Sequence, residues 1–131
     1  MSVSNADLVR RSVEAWNRSD WDVVEGLCWP DVEGIAPKQW PEAEDSMGWP
    51  AFRRQLERLK DSWAEERFEV DSVESVSEDV VLVHGRWRGR GDASGIELDL
   101  ETWMVWRFRD GKATRIEYFL DGKEATEAVS L

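Results

Sequence analysis

Residues 96–120, IELDLETWMVWRFRDGKATRIEYFL, decide the fold. Apolar and polar residues alternate on both sides of Asp110-Gly111, and that dipeptide readily takes the positive φ angles of a two-residue hairpin turn. Two antiparallel strands follow, Ile96 to Arg109 and Ala113 to Leu120. Pairing symmetrically about Gly111 sets Met104 opposite Tyr118, Trp106 opposite Ile116 and Thr102 opposite Leu120 on one face.

Upstream, the same period of two begins at Arg67. Phe68 to Val73 reads as a strand, Ser77-Glu78-Asp79 as a turn, Val80 to Arg88 as a strand and Gly89 to Gly95 as a glycine-rich turn. One register puts Val81, Val83 and Trp87 beside Met104, Thr102 and Leu98, with His84, Arg86 and Arg88 opposite Glu101, Asp99 and Glu97 on the outer face. Matching of charges favours it. A slip by one residue instead turns His84 and Arg86 inward.

The first half of the chain has helical spacing. Leu8, Val9, Ser12, Val13 and Trp16 share one face of a helix over 5–18, with Ser4 as its N-cap. Asn17 to Asp20 forms a turn, and Asp20 caps a short second helix carrying Val23, Val24 and Leu27, which Pro30 stops. Asp31 to Ala36 is short enough for an edge strand, and 37–49 is a loop. A third helix begins near Pro50, with Phe52, Leu56, Leu59 and Trp63 as its buried stripe. Asp121, with Glu124 three positions on, opens a last short helix. Helices followed by an antiparallel meander define an α+β fold, with about three N-terminal helices on the sheet and a short C-terminal one.

Composition limits the function. A chain of 131 residues and 15.2 kDa suits one domain spanning 1–131. With 41% hydrophobic residues and nine Trp it should fold, although 34% of residues are charged. A formal charge of −11 repels phosphate backbones and anionic lipid, so no nucleic-acid or membrane partner is expected. No run approaches the roughly 18 apolar residues of a membrane span, and the N-terminus has no export signal. Cys28 is the only cysteine, which excludes an internal disulfide and fits a cytoplasmic setting.

Two segments carry a family resemblance. Val9-Arg10-Arg11-Ser12-Val13-Glu14-Ala15-Trp16-Asn17-Arg18-Ser19-Asp20 is similar to the first-helix signature of SnoaL-like proteins. Phe108 to Lys112, followed by Ile116-Glu117-Tyr118-Phe119-Leu120-Asp121, resembles the last hairpin of that family, and Gly89 to Gly95 is a turn pattern recurring in its bacterial members. The resemblance implies the cone-shaped, nuclear-transport-factor-2-like fold with a curved sheet. It also implies homodimers through the sheet, for which an outward strip of Trp103, Val105 and Phe119 would serve. Asn17 and Asp20 read as scaffold, because such residues cap and turn helices.

The family's chemistry carries over poorly. Where ketosteroid isomerases of this fold place a Tyr and two Asp, the resemblance puts Ser12, Met104 and Ala36. The acid/base Asp and partner His of SnoaL-type polyketide cyclases fall at Tyr118 and Met104. The last-strand Asp of limonene-epoxide-hydrolase-like enzymes also falls at Tyr118.

The residues themselves suggest an apolar pocket lined by Ser12, Trp16, Trp63, Val83, Trp87, Met104 and Tyr118, suited to a small hydrophobic molecule. The alternative is that these side chains fill the core. Tyr118 and His84 are the candidate catalytic groups; Tyr118 is also a hydrogen-bond donor, and His84 can instead pair outward with Glu101. Glu42, Glu44 and Asp45 have no metal-site spacing, and Gly89-Arg90-Gly91 lacks the helix a phosphate cradle needs, so neither metal nor cofactor is expected. Trp40 and Trp49 could form a lid or meet a partner subunit. An acid/base enzyme, a non-catalytic binding module and a dimeric interaction protein are the three functional expectations.

Overall fold

A computed structural model describes residues 4–40, 44–91 and 95–130. Its elements are α1 Asn5–Arg18, α2 Trp21–Gly26, β1 Cys28–Ile35, β2 Ser46–Met47, α3 Trp49–Asp61, β3 Trp63–Ser75, β4 Val80–Gly91, β5 Glu97–Arg109, β6 Lys112–Phe119 and α4 Gly122–Val129. The strands form one six-stranded sheet in the order β2-β1-β6-β5-β4-β3. Helices α1, α2 and α3 pack on one face, whereas α4 crosses the other face over β5 and β6.

The decisive hairpin forms as its residues require. Asp110 and Gly111 have φ of 49° and 80°, and Met104 faces Tyr118 while Trp106 faces Ile116. The ladder ends at Trp103 opposite Phe119, so Thr102 and Leu120 lie one step beyond it. Helix caps also fall where expected. Ser4 accepts from the Asp7 N–H, Asp20 from the Val23 N–H, and Asp121 from those of Lys123 and Glu124.

The β4–β5 register differs from the sequence reading by two residues, which preserves the faces. Val83 pairs with Met104, Val81 with Trp106 and Trp87 with Leu100, while His84 faces Trp103 and Arg86 faces Glu101. The expected ion pairs nevertheless form on the diagonal, His84 to Glu101 at 2.9 Å and Arg86 to Asp99 at 3.1 Å. Long side chains reach diagonal neighbours across a strand pair, so charge matching did not fix the register. Arg88 turns to Glu69 and Asp99 and does not meet Glu97.

Four further expectations are corrected. Helix α2 ends at Gly26, and Pro30 lies inside β1, where an irregular register between Cys28 and Glu33 asks no ladder bond of it. Strand β1 is not an edge: it runs parallel to β6, with the two-residue β2 on its other side, so the sheet is mixed. Helix α3 stops at Asp61, and Trp63 opens β3. The Gly89–Gly95 turn is shorter than read, since β4 continues to Gly91; Glu42 and positions 92–94 lie outside the described residues.

The outer strip is not open either. Val105 is fully buried, Trp103 and Phe119 are half-buried, and a Cβ on Gly122 at the start of α4 would lie 2.8 Å from the Trp103 ring. Arg107 reinforces this contact by donating to the Ala128 carbonyl at 3.2 Å. The C-terminal helix thus packs over Trp103 and Arg107 on this face.

Between the sheet and α1–α3 lies the core, with Val9, Val13, Phe52, Leu56, Val81, Val83, Met104, Trp106 and Ile116 buried. Asn17 joins its two sides. Its Nδ2 donates to the Phe68 carbonyl at 3.0 Å and its Oδ1 accepts the Phe68 N–H at 2.8 Å, which ties the end of α1 to β3.

Candidate functional site

The concave face of the sheet and the helices above it leave a cavity of about 120 Å³. Ser12 and Trp16 of α1 form one wall, Phe52, Leu56 and Leu59 of α3 a second, and Trp87, Met104, Trp106 and Tyr118 of the sheet a third. Ala36, Pro37 and Trp40 complete it from the segment after β1, the Trp40 ring 5.7 Å from that of Trp87. That segment is anchored to α4 by Gln39, which donates to Glu124 Oε1 at 2.6 Å.

Two hydroxyls stand out in this apolar lining. Neither Ser12 Oγ nor Tyr118 Oη has a hydrogen-bond partner among the described residues, whereas Thr102 Oγ1 donates to the Leu100 carbonyl at 3.1 Å. Burial, and secondarily the negative charge that Cys28 would carry, hold the Tyr118 phenol well above its usual value. It therefore stays protonated at neutral pH and can donate but not abstract. The Trp106 Nε1 is also buried without a partner among the described residues.

Sequence reading missed Glu66. Its Oε1 accepts the indole N–H of Trp16 at 2.6 Å and that of Trp87 at 2.7 Å, and its Oε2 meets Lys60 Nζ at 2.6 Å. The carboxylate side chain is 2% exposed and that of Lys60 11%. A charge at this depth is tolerable only when paired and hydrogen-bonded, as this one is. Glu66 faces inward because β3 bulges between Ala64 and Arg67, with Glu65 at φ 55°. The signal was present in the alternation Glu66-Phe68-Val70, had the strand been started one residue earlier.

Five of the seven expected lining residues, Ser12, Trp16, Trp87, Met104 and Tyr118, line the cavity. Val83 is fully buried in the sheet beneath it, because it packs against neighbours on all sides. Trp63 lies behind the wall, edge-on to Trp87 at 6.4 Å, and borders an open groove with Trp21 and Lys60. His84 is on the opposite face of the sheet, stacked on Trp103 at 4.8 Å and bonded to Glu101, so it does not reach the cavity. Trp49 is a core residue packed on Phe52, 6.2 Å between rings. Among the described residues no group of three or more His, Cys, Asp or Glu could hold a metal ion, and no helix is long and apolar enough to cross a membrane.

The sequence matches the family model of the SnoaL-like domain over residues 9–116, and the chain belongs to that family. Similar solved structures agree on the fold. An NTF2-like protein from Burkholderia thailandensis superposes with a TM-score of 0.81 at 21% identity, over 99% of each chain. An NTF2-like protein of unknown function from Burkholderia pseudomallei has a TM-score of 0.79 at 26% identity, over 98% of this chain and 100% of that one. TerC, co-crystallised with polyporic acid, has a TM-score of 0.78 at 22% identity, over 97% and 98%. No curated protein gives a significant sequence match.

Proposed function

We propose that this chain binds a small, single-ring, mainly apolar molecule carrying an acceptor oxygen such as a ketone. The observation that carries the reading is the pair of hydroxyls, Ser12 and Tyr118, that have no hydrogen-bond partner among the described residues, in a mainly apolar cavity. Size supports it: an engineered apolar cavity of roughly 150 Å³ takes a benzene ring, whereas drug-sized ligands use about 300 Å³ or more. At about 120 Å³, this space is somewhat smaller than that benzene cavity, so we take it to admit no more than one ring, flanked by Trp16, Trp87 and Trp106, with its oxygen on Tyr118.

Binding is favoured over proton-transfer catalysis by the lining itself. No Asp, Glu, His or Lys is among the described residues that line it, and Tyr118 is too weak an acid and too reluctant an anion to move protons readily at neutral pH. Titration of intrinsic Trp fluorescence with acetophenone tests the reading, with the incubated ketone recovered and assayed for change. Saturable quenching with unaltered ketone is expected. Absence of any saturable response to acetophenone and cyclohexanone refutes the binding mode, and conversion of the ketone refutes its non-catalytic character.

A further inference from the structure

We propose that Glu66 is a positioning residue that sets which ring sizes the cavity admits, an inference that rests on the ligand reading above. Trp16 comes from α1 and Trp87 from β4, and both indoles donate to the same oxygen, Glu66 Oε1. One atom therefore fixes the separation and tilt of two walls. The other carboxylate oxygen is held by Lys60 of α3, whose Nζ also lies 4.8 Å from the centre of the Trp16 ring.

Each link is short. Charge-assisted hydrogen bonds from a neutral donor to a carboxylate are stronger than neutral pairs, and a low local dielectric strengthens them further. Two indoles and an ammonium take up three of the roughly four acceptor sites of the carboxylate, and Glu66 itself stands behind the cavity lining. It acts through the two rings. At Gly89 a Cβ would lie 3.1 Å from the Trp63 Cβ, so glycine there lets the bulged start of β3 pack closely against β4.

An alternative is that the ion pair merely fastens α3 to β3, in which case its loss lowers stability without altering what the cavity prefers. The two are separated by comparing affinities for acetophenone and 2-acetonaphthone, which share the carbonyl and differ by one ring. The wild type is expected to prefer acetophenone about tenfold, the scale of forcing extra carbon atoms into a packed site. In Glu66→Gln the charge is lost and a single acceptor oxygen remains, so either Lys60 or the two indoles must face an NH2, and the preference should fall to about threefold or less. Glu66→Asp keeps the charge and the Lys60 pair but withdraws the acceptor by one methylene, so it should shift the preference the same way in a variant expected to stay folded.

Indole N–H exchange in the wild type is a further readout, independent of any variant. The Nε1 protons of Trp16 and Trp87 should exchange more slowly than that of Trp40. An unchanged ketone preference in either folded variant, or unprotected Trp16 and Trp87 indoles, overturns the role of Glu66 while leaving the binding proposal intact. Failure of the wild type to bind either ketone overturns both.

Discussion

Removing the Asn17 side chain should cost the fold more than any other single surface-accessible polar contact described above. In Asn17→Ala the Phe68 N–H and C=O both lose their partner, bonds of 2.8 and 3.0 Å, beside a side chain that is 8% exposed. An orphaned buried polar group costs about 1–3 kcal/mol, and partial access of water to this part-buried pair brings the sum to about 2–3 kcal/mol. Alanine is the better helix former by roughly half a kcal/mol, so the measured loss understates the interaction. At the few degrees per kcal/mol typical of a domain this size, Tm should fall by about 10 °C. Asn17→Asp retains the acceptor for the Phe68 N–H but sets a second anionic oxygen against the Phe68 carbonyl, and should lose about as much. Urea unfolding followed by Trp fluorescence gives both numbers, with the slope m as a check on two-state behaviour. A loss below about 1 kcal/mol in Asn17→Ala would refute the view that this pair clamps α1 to β3.

Three other outcomes follow from the same structure. Tyr118→Phe removes one neutral hydrogen bond and should weaken acetophenone three- to tenfold, on the scale of about 1 kcal/mol, with Tm changed little; unaltered affinity by fluorescence titration removes the phenol from the site. Gly85→Ala places a Cβ 2.3 Å from the Glu69 carbonyl oxygen and 2.8 Å from the Phe68 ring, so it should cost about 3 kcal/mol or more; wild-type Tm would show that β3 and β4 can part more easily than their packing implies. Stability should decline as pH rises above about 9. Burial pushes Cys28 from its ordinary value near 9.0 up to about 12 and raises Tyr118 as well, so the folded chain keeps protons that the unfolded chain has released. Urea denaturation from pH 8 to 11 checks this, and Cys28→Ala should move the onset of the decline upward; a flat profile in both contradicts the assignment.

How much of this was legible beforehand differs between the two halves of the molecule. The Asp110-Gly111 turn, the Met104–Tyr118 and Trp106–Ile116 pairs and the helix caps were readable because each depends on near neighbours in the chain. The β4–β5 register was not, since Val83 opposite Met104 and Val83 opposite Thr102 bury the same face and both allow the His84–Glu101 contact. Trp63 was assigned to α3 because its spacing continues the stripe of Phe52, Leu56 and Leu59; periodicity cannot see that Ser62 ends the helix. For Glu66 the inward face was readable from its alternation with Phe68, but its partners were not. Its environment is assembled by a bulge and by residues from α1, α3 and β4, none of which is adjacent to it in sequence.

The parallel ribbon of β1 and β6 sets an order of events during synthesis. Glu33 finds its neighbour at Arg115 and Ile35 at Glu117, so apart from the two-residue β2 a stretch made early lacks its partner strand until Lys112–Phe119 has emerged. Contacts spanning so much chain are slow to form and leave the unmatched stretch vulnerable meanwhile. The cavity therefore gains its Tyr118 wall only once β6, Lys112–Phe119, has joined the sheet.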